Sequence, residues 1–423
     1  MFEKTHKIHC ITHGCSANYS DSEVMQGLLK EEGYELVDKP EISDIIVINT
    51  CTVKNVTENV FLREFKKLNN KPIVITGCIA QASPEKFQDC SIVGTHQIHR
   101  IVDVVEETLQ GNVVALIQRE RNPRLNLPKI RKNPLVEIIP INQGCLNCCT
   151  FCQTKIARGN LMSYDKSEIL KQARQAISDG VKEIWLTSQD TGAYGKDIGM
   201  VLPNLLNDLV KIEGEFMIRL GMANPNHILG FVDAFAEILK HPKVFKFVHI
   251  PVQSGNNNIL SKMLRGYTVE EFRSIITALR AQVPELTVAT DVICGFPTET
   301  EEQFMDTIKL VQEIKPVVVN ISRYSNRPKT AAARLPQLPG SVIKDRSRLM
   351  TQVFEEIAVQ QNQQWIGWKG TIIIDDYGTK NTMQGRNYAY KPVVVQGSYP
   401  LGTKLLVEIV DATEYDVRGK VLD

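Results

Sequence analysis

Four cysteines fall within eight residues, at Cys145, Cys148, Cys149 and Cys152. A thiolate is a soft ligand that suits zinc and iron–sulfur clusters, so this run is read first as a metal centre. Two chemistries fit the spacing. Cys145-x2-Cys148 and Cys149-x2-Cys152 form two knuckles of the kind that hold structural zinc. The adjacency of Cys148 and Cys149 makes their convergence on one tetrahedral ion awkward. Alternatively, Cys145, Cys149 and Cys152 hold three irons of a cubane and leave the fourth iron open to a chelating ligand. Spacing alone leaves both open.

A second group is dispersed. Cys15, Cys51 and Cys78 stand in HGCSANYSDSE, NTCTVKNVTE and ITGCIAQ, each just beyond a short β-branched run. In a doubly wound parallel sheet such positions share one crevice at the carboxyl ends of the strands. Gly14 and Gly77 allow close backbone approach there, so three thiols converging on a second metal centre fit the pattern. Cys10, Cys90 and Cys294 read as inert buried residues. The ten cysteines of this 423-residue chain do not suggest a disulfide framework, which belongs to short secreted domains.

The elements that must position these residues follow from periodicity. Residues 8–12, 44–49 and 72–76 read as strands, with helices over 21–32, from about 52 to 68, and near 84–88, so residues 1–117 form a doubly wound parallel α/β domain. Residues 118–134 read as a linker, since 118–133 carry two prolines and no apolar period. There Arg119, Arg121, Arg124, Lys129, Arg131 and Lys132 face only Glu120, which suits either a solvated connector or an arm that contacts phosphates. A second series over 135–364 places strands at 136–141, 183–187, 216–220, 245–250, 288–293 and 317–321. Helices separate them, for example over 166–178 and 269–281, and a long helix over 342–364 closes the series. Six βα units imply a partial (β/α)6 barrel, with the dense cysteine run at the carboxyl end of its first strand, where ligands gather. Residues 365–423 read as short alternating strands with glycine turns, a small all-β barrel.

Bulk properties add exclusions. A net charge of +1 argues nothing about partners, no apolar run reaches about 18 residues, and MFEKTHKIHC lacks the apolar core of a secretory signal. A cytoplasmic protein without a membrane segment is expected.

The cysteine run is more specific than its spacing. Cys145-x3-Cys149-x2-Cys152, with Phe151 before the last cysteine, resembles the radical-SAM signature, and GCLNCCTFCQTKIARGNLMSY is similar to the methylthiotransferase family, in its archaeal and eukaryotic branch acting on threonylcarbamoyladenosine in tRNA. The resemblance covers essentially the whole chain. It implies two [4Fe-4S] clusters, one on Cys145, Cys149 and Cys152 and an auxiliary one on Cys15, Cys51 and Cys78, with Cys148 a bystander. It implies S-adenosyl-L-methionine (SAM) as cofactor, cleaved to a 5′-deoxyadenosyl radical that opens an unactivated C–H at adenine C2. It also implies that Phe151 lies near the adenine of SAM. LTSQDTGAYG offers Gln189 and Asp190 for the SAM amino group, Arg219 for its carboxylate, and HIPVQSGNN offers Gln253 and Ser254 toward the ribose or substrate. DVICGFPTET resembles the segment laid against adenine, and RYSNRPKTAAA the run closing the cavity.

The tail resembles the family's RNA-binding TRAM barrel, with Lys369, Lys380, Arg386 and Lys391 as candidate tRNA contacts. The implied partners are the tRNA anticodon loop, where an unstacked base can be presented, an electron donor and a sulfur source. Two rival readings are a ribosomal-protein aspartate methylthiotransferase, which shares both triads, and a non-catalytic zinc-binding RNA-binding protein.

Overall fold

The computed structural model describes residues 6–422 apart from 53, 54, 69, 121 and 123, so Arg121 of the basic run lies outside the described residues. The β-branched runs at the N-terminus form a six-stranded parallel sheet from β1 (Lys7–Thr12), β2 (Glu35–Leu36), β3 (Ile45–Thr50), β4 (Ile73–Gly77), β5 (Ser91–Val93) and β6 (Ala115–Leu116), in the order β2-β1-β3-β4-β5-β6. Strands β3 and β4 are buried along their whole length because helices cover both faces. On one face α1 (Ser16–Glu31) and α4 (Ile101–Leu109) pack Val24, Leu29, Val104 and Val105 against Ile8 and Val47. On the other, α2 (Asn55–Lys67) and the short α3 (Cys78–Ala82) enclose Ile46, Ile48 and Ile75.

Two expectations are corrected here. Helix α1 starts at Ser16, five residues before the predicted start at 21, with Cys15 at its N-cap. Its first turns bury Asn18, Ser20, Asp21 and Glu23, and an apolar-period reading cannot see a buried polar face. The helix expected near 84–88 is a single 3-10 turn at Pro84–Lys86.

The second series contains β7 (Val136–Pro140), a hairpin of β8 (Asn142–Gln143) with β9 (Met162–Ser163), then β10 (Glu183–Thr187), β11 (Met217–Leu220), β12 (Phe247–His249), β13 (Thr287–Cys294) and β14 (Val318–Arg323). All but the hairpin pair in parallel, as β11-β10-β7 and β12-β13-β14. The bridge Ile218↔Val244 links the two sheets, so the six predicted strands appear as one open parallel array. Its helices are well signalled: Asp165 caps Lys166–Ser178, and capping boxes Thr268/Glu271 and Thr300/Gln303 open Val269–Gln282 and Glu301–Ile314. Ile139, Leu186, Ile218 and Val288 pack under these helices in one core. A helix at Gly340–Gln363 follows.

The tail is a closed barrel, β15 (Lys369–Tyr377), β16 (Thr382–Arg386), β17 (Pro392–Gln396), β18 (Lys404–Ala412) and β19 (Val417–Val421), in the order β15-β16-β17-β19-β18. It docks near the amino ends of the parallel strands, opposite the cysteine run, and Tyr390 packs on Phe245 and Phe247 at ring distances of 4.8 and 5.1 Å. Two expected RNA contacts are spent inside this junction. Arg386 pairs with Asp375 at 3.0 Å and lies over Tyr390, and Lys391 is 3% exposed with Nζ donating to Asn362 at 2.6 Å. Lys369 pairs with Glu408, whereas Lys380 is exposed.

Burial lowers the Lys391 pKa to about 7. Between that value and the ordinary ~10.4 the unfolded chain binds more protons at this site, so stability from this group rises with pH, by up to about 1.4 kcal/mol for each pH unit crossed in that window. Lys391→Met is expected to be most favourable relative to wild type at pH 7, with the difference narrowing by pH 9 in thermal melts.

Three cations of the basic run are neither solvated nor free for phosphate. Arg124 pairs with buried Asp21, Lys129 with Glu23 and Glu137, and Arg131 with Glu137 and Asp179. These three cations are consumed in ion pairs that staple α1 to β7, whereas Arg119 and Lys132 of the same run are exposed.

Candidate metal and cofactor site

The run of four cysteines is a loop clamped at its start and again at Thr150. Gly144 donates its N–H to Gln189 Oε1 at 2.7 Å, Cys145 N–H to the Gly159 carbonyl at 3.2 Å, and Thr150 N–H to the Met263 carbonyl at 3.1 Å. Ala332 N–H returns to the Thr150 carbonyl, so the RYSNRPKTAAA segment closes over the loop. The thiols of Cys145, Cys149 and Cys152 stand close enough to repel one another when ionised, and burial, reinforced by Asp190, pushes Cys145 up to about 12. Arg265, 4% exposed, donates to Cys149 Sγ at 3.1 Å and also contacts Asn224, whose own N–H groups hold Asp190. Cys148 is exposed. Phe151 packs with Phe296, Met263 and Tyr324 at the loop's edge. Asn147 Nδ2 and Asn226 Oδ1 are buried here without a hydrogen-bond partner among the described residues, as at a site that receives a polar ligand.

Gly144 sets the loop's entry. Its φ is +75°, and a Cβ would stand 1.9 Å from the Asn160 carbonyl oxygen. Gly144→Ala therefore combines left-handed strain of about 1–3 kcal/mol with a backbone clash. It is expected to lower the iron retained on this loop after anaerobic reconstitution, read as iron per chain in a background lacking Cys15, Cys51 and Cys78.

The three N-terminal cysteines meet around Asn18. Its Oδ1 lies 3.6 Å from Cys15 Sγ, 3.9 Å from Cys78 Sγ and 3.4 Å from an Arg158 nitrogen. Its Nδ2 donates to Asn49 Oδ1 and the Thr50 carbonyl, which fixes the amide's orientation. Cys51 closes the group: a Cβ on Gly14 would stand 3.1 Å from its Sγ and 3.1 Å from Asn18 Cγ. Helix α3, which Cys78 opens, packs on α5 (Thr154–Arg158), which begins two residues after Cys152. Cys78 and Ala82 touch Ala157 and Ile156, so the two cysteine groups belong to adjoining elements. Among the described residues, no three His, Cys, Asp or Glu side chains are drawn around one point as for a single metal ion.

The other expected ligand residues divide. Gln189 acts on the loop through Gly144, and Asp190 is fully buried with its oxygens taken by Gly192 and Asn224, so neither offers the free group expected for the SAM amine. Ser254 is likewise fully buried, its hydroxyl 3.4 Å from that of Thr307 and accepting from the Asn256 N–H at 3.3 Å. Gln253 holds a φ of +69° and pairs with β13 through its backbone in both directions. Arg219 lies 5.3–5.4 Å from the rings of Trp185, Phe247 and Tyr390, stacked at the barrel junction. A His249–Asp291–Asn320 cluster, at 2.7 and 2.8 Å, lines the neighbouring strands.

Sequence reasoning missed Arg265, Arg158 and Asn18. A lone arginine in LRGYT reads as a surface turn, and nothing in its neighbours marks burial.

Residues 7–94 match the uncharacterised protein family UPF0004, and residues 139–311 match the radical SAM superfamily. A Pyrococcus horikoshii protein named probable threonylcarbamoyladenosine tRNA methylthiotransferase is 43% identical over 396 residues, 92% of this chain and 93% of its own. A human protein named threonylcarbamoyladenosine tRNA methylthiotransferase is 42% identical over 428 residues, 98% of this chain and 74% of its own. Among solved structures, a radical S-adenosylmethionine methyltransferase from Kitasatospora setae with cobalamin and a [4Fe-4S] cluster bound has a TM-score of 0.58, covering 78% of this chain and 77% of its own. At 14% identity that likeness concerns the fold. With this coverage and the cysteine loop at the carboxyl end of an open parallel array, the chain belongs to the threonylcarbamoyladenosine tRNA methylthiotransferase family of radical-SAM enzymes.

Proposed function

We propose that this chain converts N6-threonylcarbamoyladenosine at position 37 of tRNA to its 2-methylthio derivative. The observation that carries the reading is the packing of α3 on α5, which sets the Cys15/Cys51/Cys78 group against the Cys145/Cys149/Cys152 loop. Each trio supplies three soft ligands and so fits a [4Fe-4S] cluster with one iron left for an exchangeable ligand. With clusters and SAM bound, the site supplies radical chemistry able to open the C2–H bond of an adenine, which has no useful acidity. The chain's own residues do the positioning. Gln189 and Thr150 hold the loop, Arg265 orients Cys149, Phe151 offers an apolar edge for the SAM adenine, and the 323–333 run covers the cavity.

On this reading residues 1–117 are the auxiliary-cluster domain, 135–364 the radical-SAM domain and 365–423 a TRAM domain that takes part in holding tRNA. Of the four candidate tRNA contacts on the tail, Lys380 supports this last role by its exposure. All ten cysteines are free, and no helix among the described residues is long and apolar enough to cross a membrane, which supports work in the reducing cytoplasm alongside an electron donor and a sulfur source.

The test is nucleoside mass spectrometry of tRNA carrying threonylcarbamoyladenosine after incubation with reconstituted enzyme, SAM, reductant and sulfide. A mass gain at that nucleoside corresponding to a methylthio group replacing hydrogen is expected. No gain on tRNA, with a gain on a ribosomal-protein aspartate, would move the assignment to the protein-modifying branch.

A further inference from the structure

Charge does not balance around the N-terminal cysteines. Asp21 is 4% exposed, and its carboxylate takes two guanidiniums, Arg124 on one oxygen and Arg158 on the other at 2.7 Å. Both arginines are also buried, at 6% and 2% exposed. Among the described residues, no second carboxylate pairs with either of them. Two cations on one anion leave one net positive charge out of water, which a folded protein does not tolerate without a counter-ion. Arg158 Nε and Arg124 Nη2 are moreover buried donors without a hydrogen-bond partner among the described residues. What stands nearest to Arg158 is the cysteine group, through the shared Asn18 oxygen and through the Cys78 and Cys15 thiols, whose charge it would feel if ionised.

We propose that Arg158 is the counter-charge of the auxiliary cluster, a positioning residue that sets how firmly that cluster is held and at what potential it is reduced. The inference rests on the two-cluster reading given above. A cubane at its resting oxidation level with three thiolates carries one net negative charge, which matches the uncompensated positive charge beside it. An anionic sulfur ligand on the open iron would add to the demand, and hydrogen bonding and charge near the sulfurs are the protein's ordinary means of tuning such a centre. The source of the charge is informative. Arg158 ends α5, which starts two residues after Cys152, so the loop that holds one cluster delivers the cation of the other. Loading of the N-terminal site is thereby tied to the docking of α5 on α3.

The arrangement separates this role from that of a structural ion pair. Arg158→Gln leaves Asp21 paired with Arg124 as a balanced couple, so the cluster-free protein should melt no lower than wild type. A merely structural arginine would give a lower melting temperature. The experiment uses full-length chains with alanine at 145, 149 and 152, which retain only the auxiliary site. Three forms are reconstituted anaerobically, one with Arg158 unchanged and two carrying R158Q or R158K. Iron per chain and the midpoint potential are read by absorbance and electron paramagnetic resonance.

R158Q is expected to hold less iron and to show a potential shifted to more negative values, while R158K, which keeps the charge, recovers most of both. Wild-type iron and potential in R158Q would overturn the proposal. An R158Q that melts lower than wild type or fails to fold would mark a structural arginine and overturn the proposal, as would cluster loss in R158K with the charge retained. Absence of any auxiliary cluster in the form with Arg158 unchanged would instead bring down the two-cluster reading itself.

Discussion

Alanine at Cys145, Cys149 or Cys152 is expected to abolish release of 5′-deoxyadenosine from SAM, while alanine at Cys148 leaves it unchanged. The three reactive positions are only partly buried, and the loop's shape is held by Gln189, Met263, Gly159 and Ala332 through backbone groups that no cysteine substitution touches. Each variant should therefore fold, and the loss is one of ligation. Cys148 is exposed and, among the described residues, makes a long contact to the Leu146 carbonyl, at 3.9 Å. Arg265→Gln provides the graded case. It removes the donor to Cys149 Sγ and leaves Asn224 without that partner, yet spares the ligand itself. Outer-sphere changes of this kind typically cost about 10–100-fold, so R265Q should fall between wild type and the cysteine variants. The measurement is 5′-deoxyadenosine by chromatography under excess dithionite, beside iron per chain. Full cleavage by any of the three alanine variants would remove the assigned ligand set.

What the sequence made legible, and what it hid, follows from which interactions are local. Six parallel strands, the helices opened by Thr268 and Thr300, and the terminal barrel all announce themselves through periodicity and capping chemistry, which act over a few residues. The two cysteine groups were legible because a thiol at the carboxyl end of a β-strand has few ordinary uses. The failures share the opposite property. Arg386 and Lys391 look like solvated cations because their acceptors, Asp375 and Asn362, are identified only by the folded junction. Arg124, Lys129 and Arg131 form a basic run on paper, but α1 and β7 bring Asp21, Glu23 and Glu137 to meet them from at least six positions away and as far as 106. Asp190 and Ser254 carry the right chemistry in the right segments, and only their burial shows that neighbouring groups have claimed it.

Changes at Cys15, Cys51 or Cys78 are expected to give the opposite phenotype, with SAM cleavage retained and methylthio product absent. No atom of the N-terminal group is needed to hold the 145–152 loop, whose hydrogen-bond partners all come from the second domain. Cleavage can thus proceed with the auxiliary site empty, whereas insertion of sulfur at C2 needs a sulfur source held beside the same cavity. Stability orders the variants. Cys15 is exposed, so C15A costs little, while Cys51 and Cys78 are each 3% exposed and lose a buried sulfur, worth about 1 kcal/mol. C15A is accordingly the cleanest test, because neither folding nor the α3–α5 contact should change. Its expected signature is 5′-deoxyadenosine formation with unmodified threonylcarbamoyladenosine recovered from the tRNA. If C15A instead lost cleavage while holding wild-type iron on the other loop, the two cysteine groups would have to act as one electronic unit, and the division of labour assigned to them would be wrong.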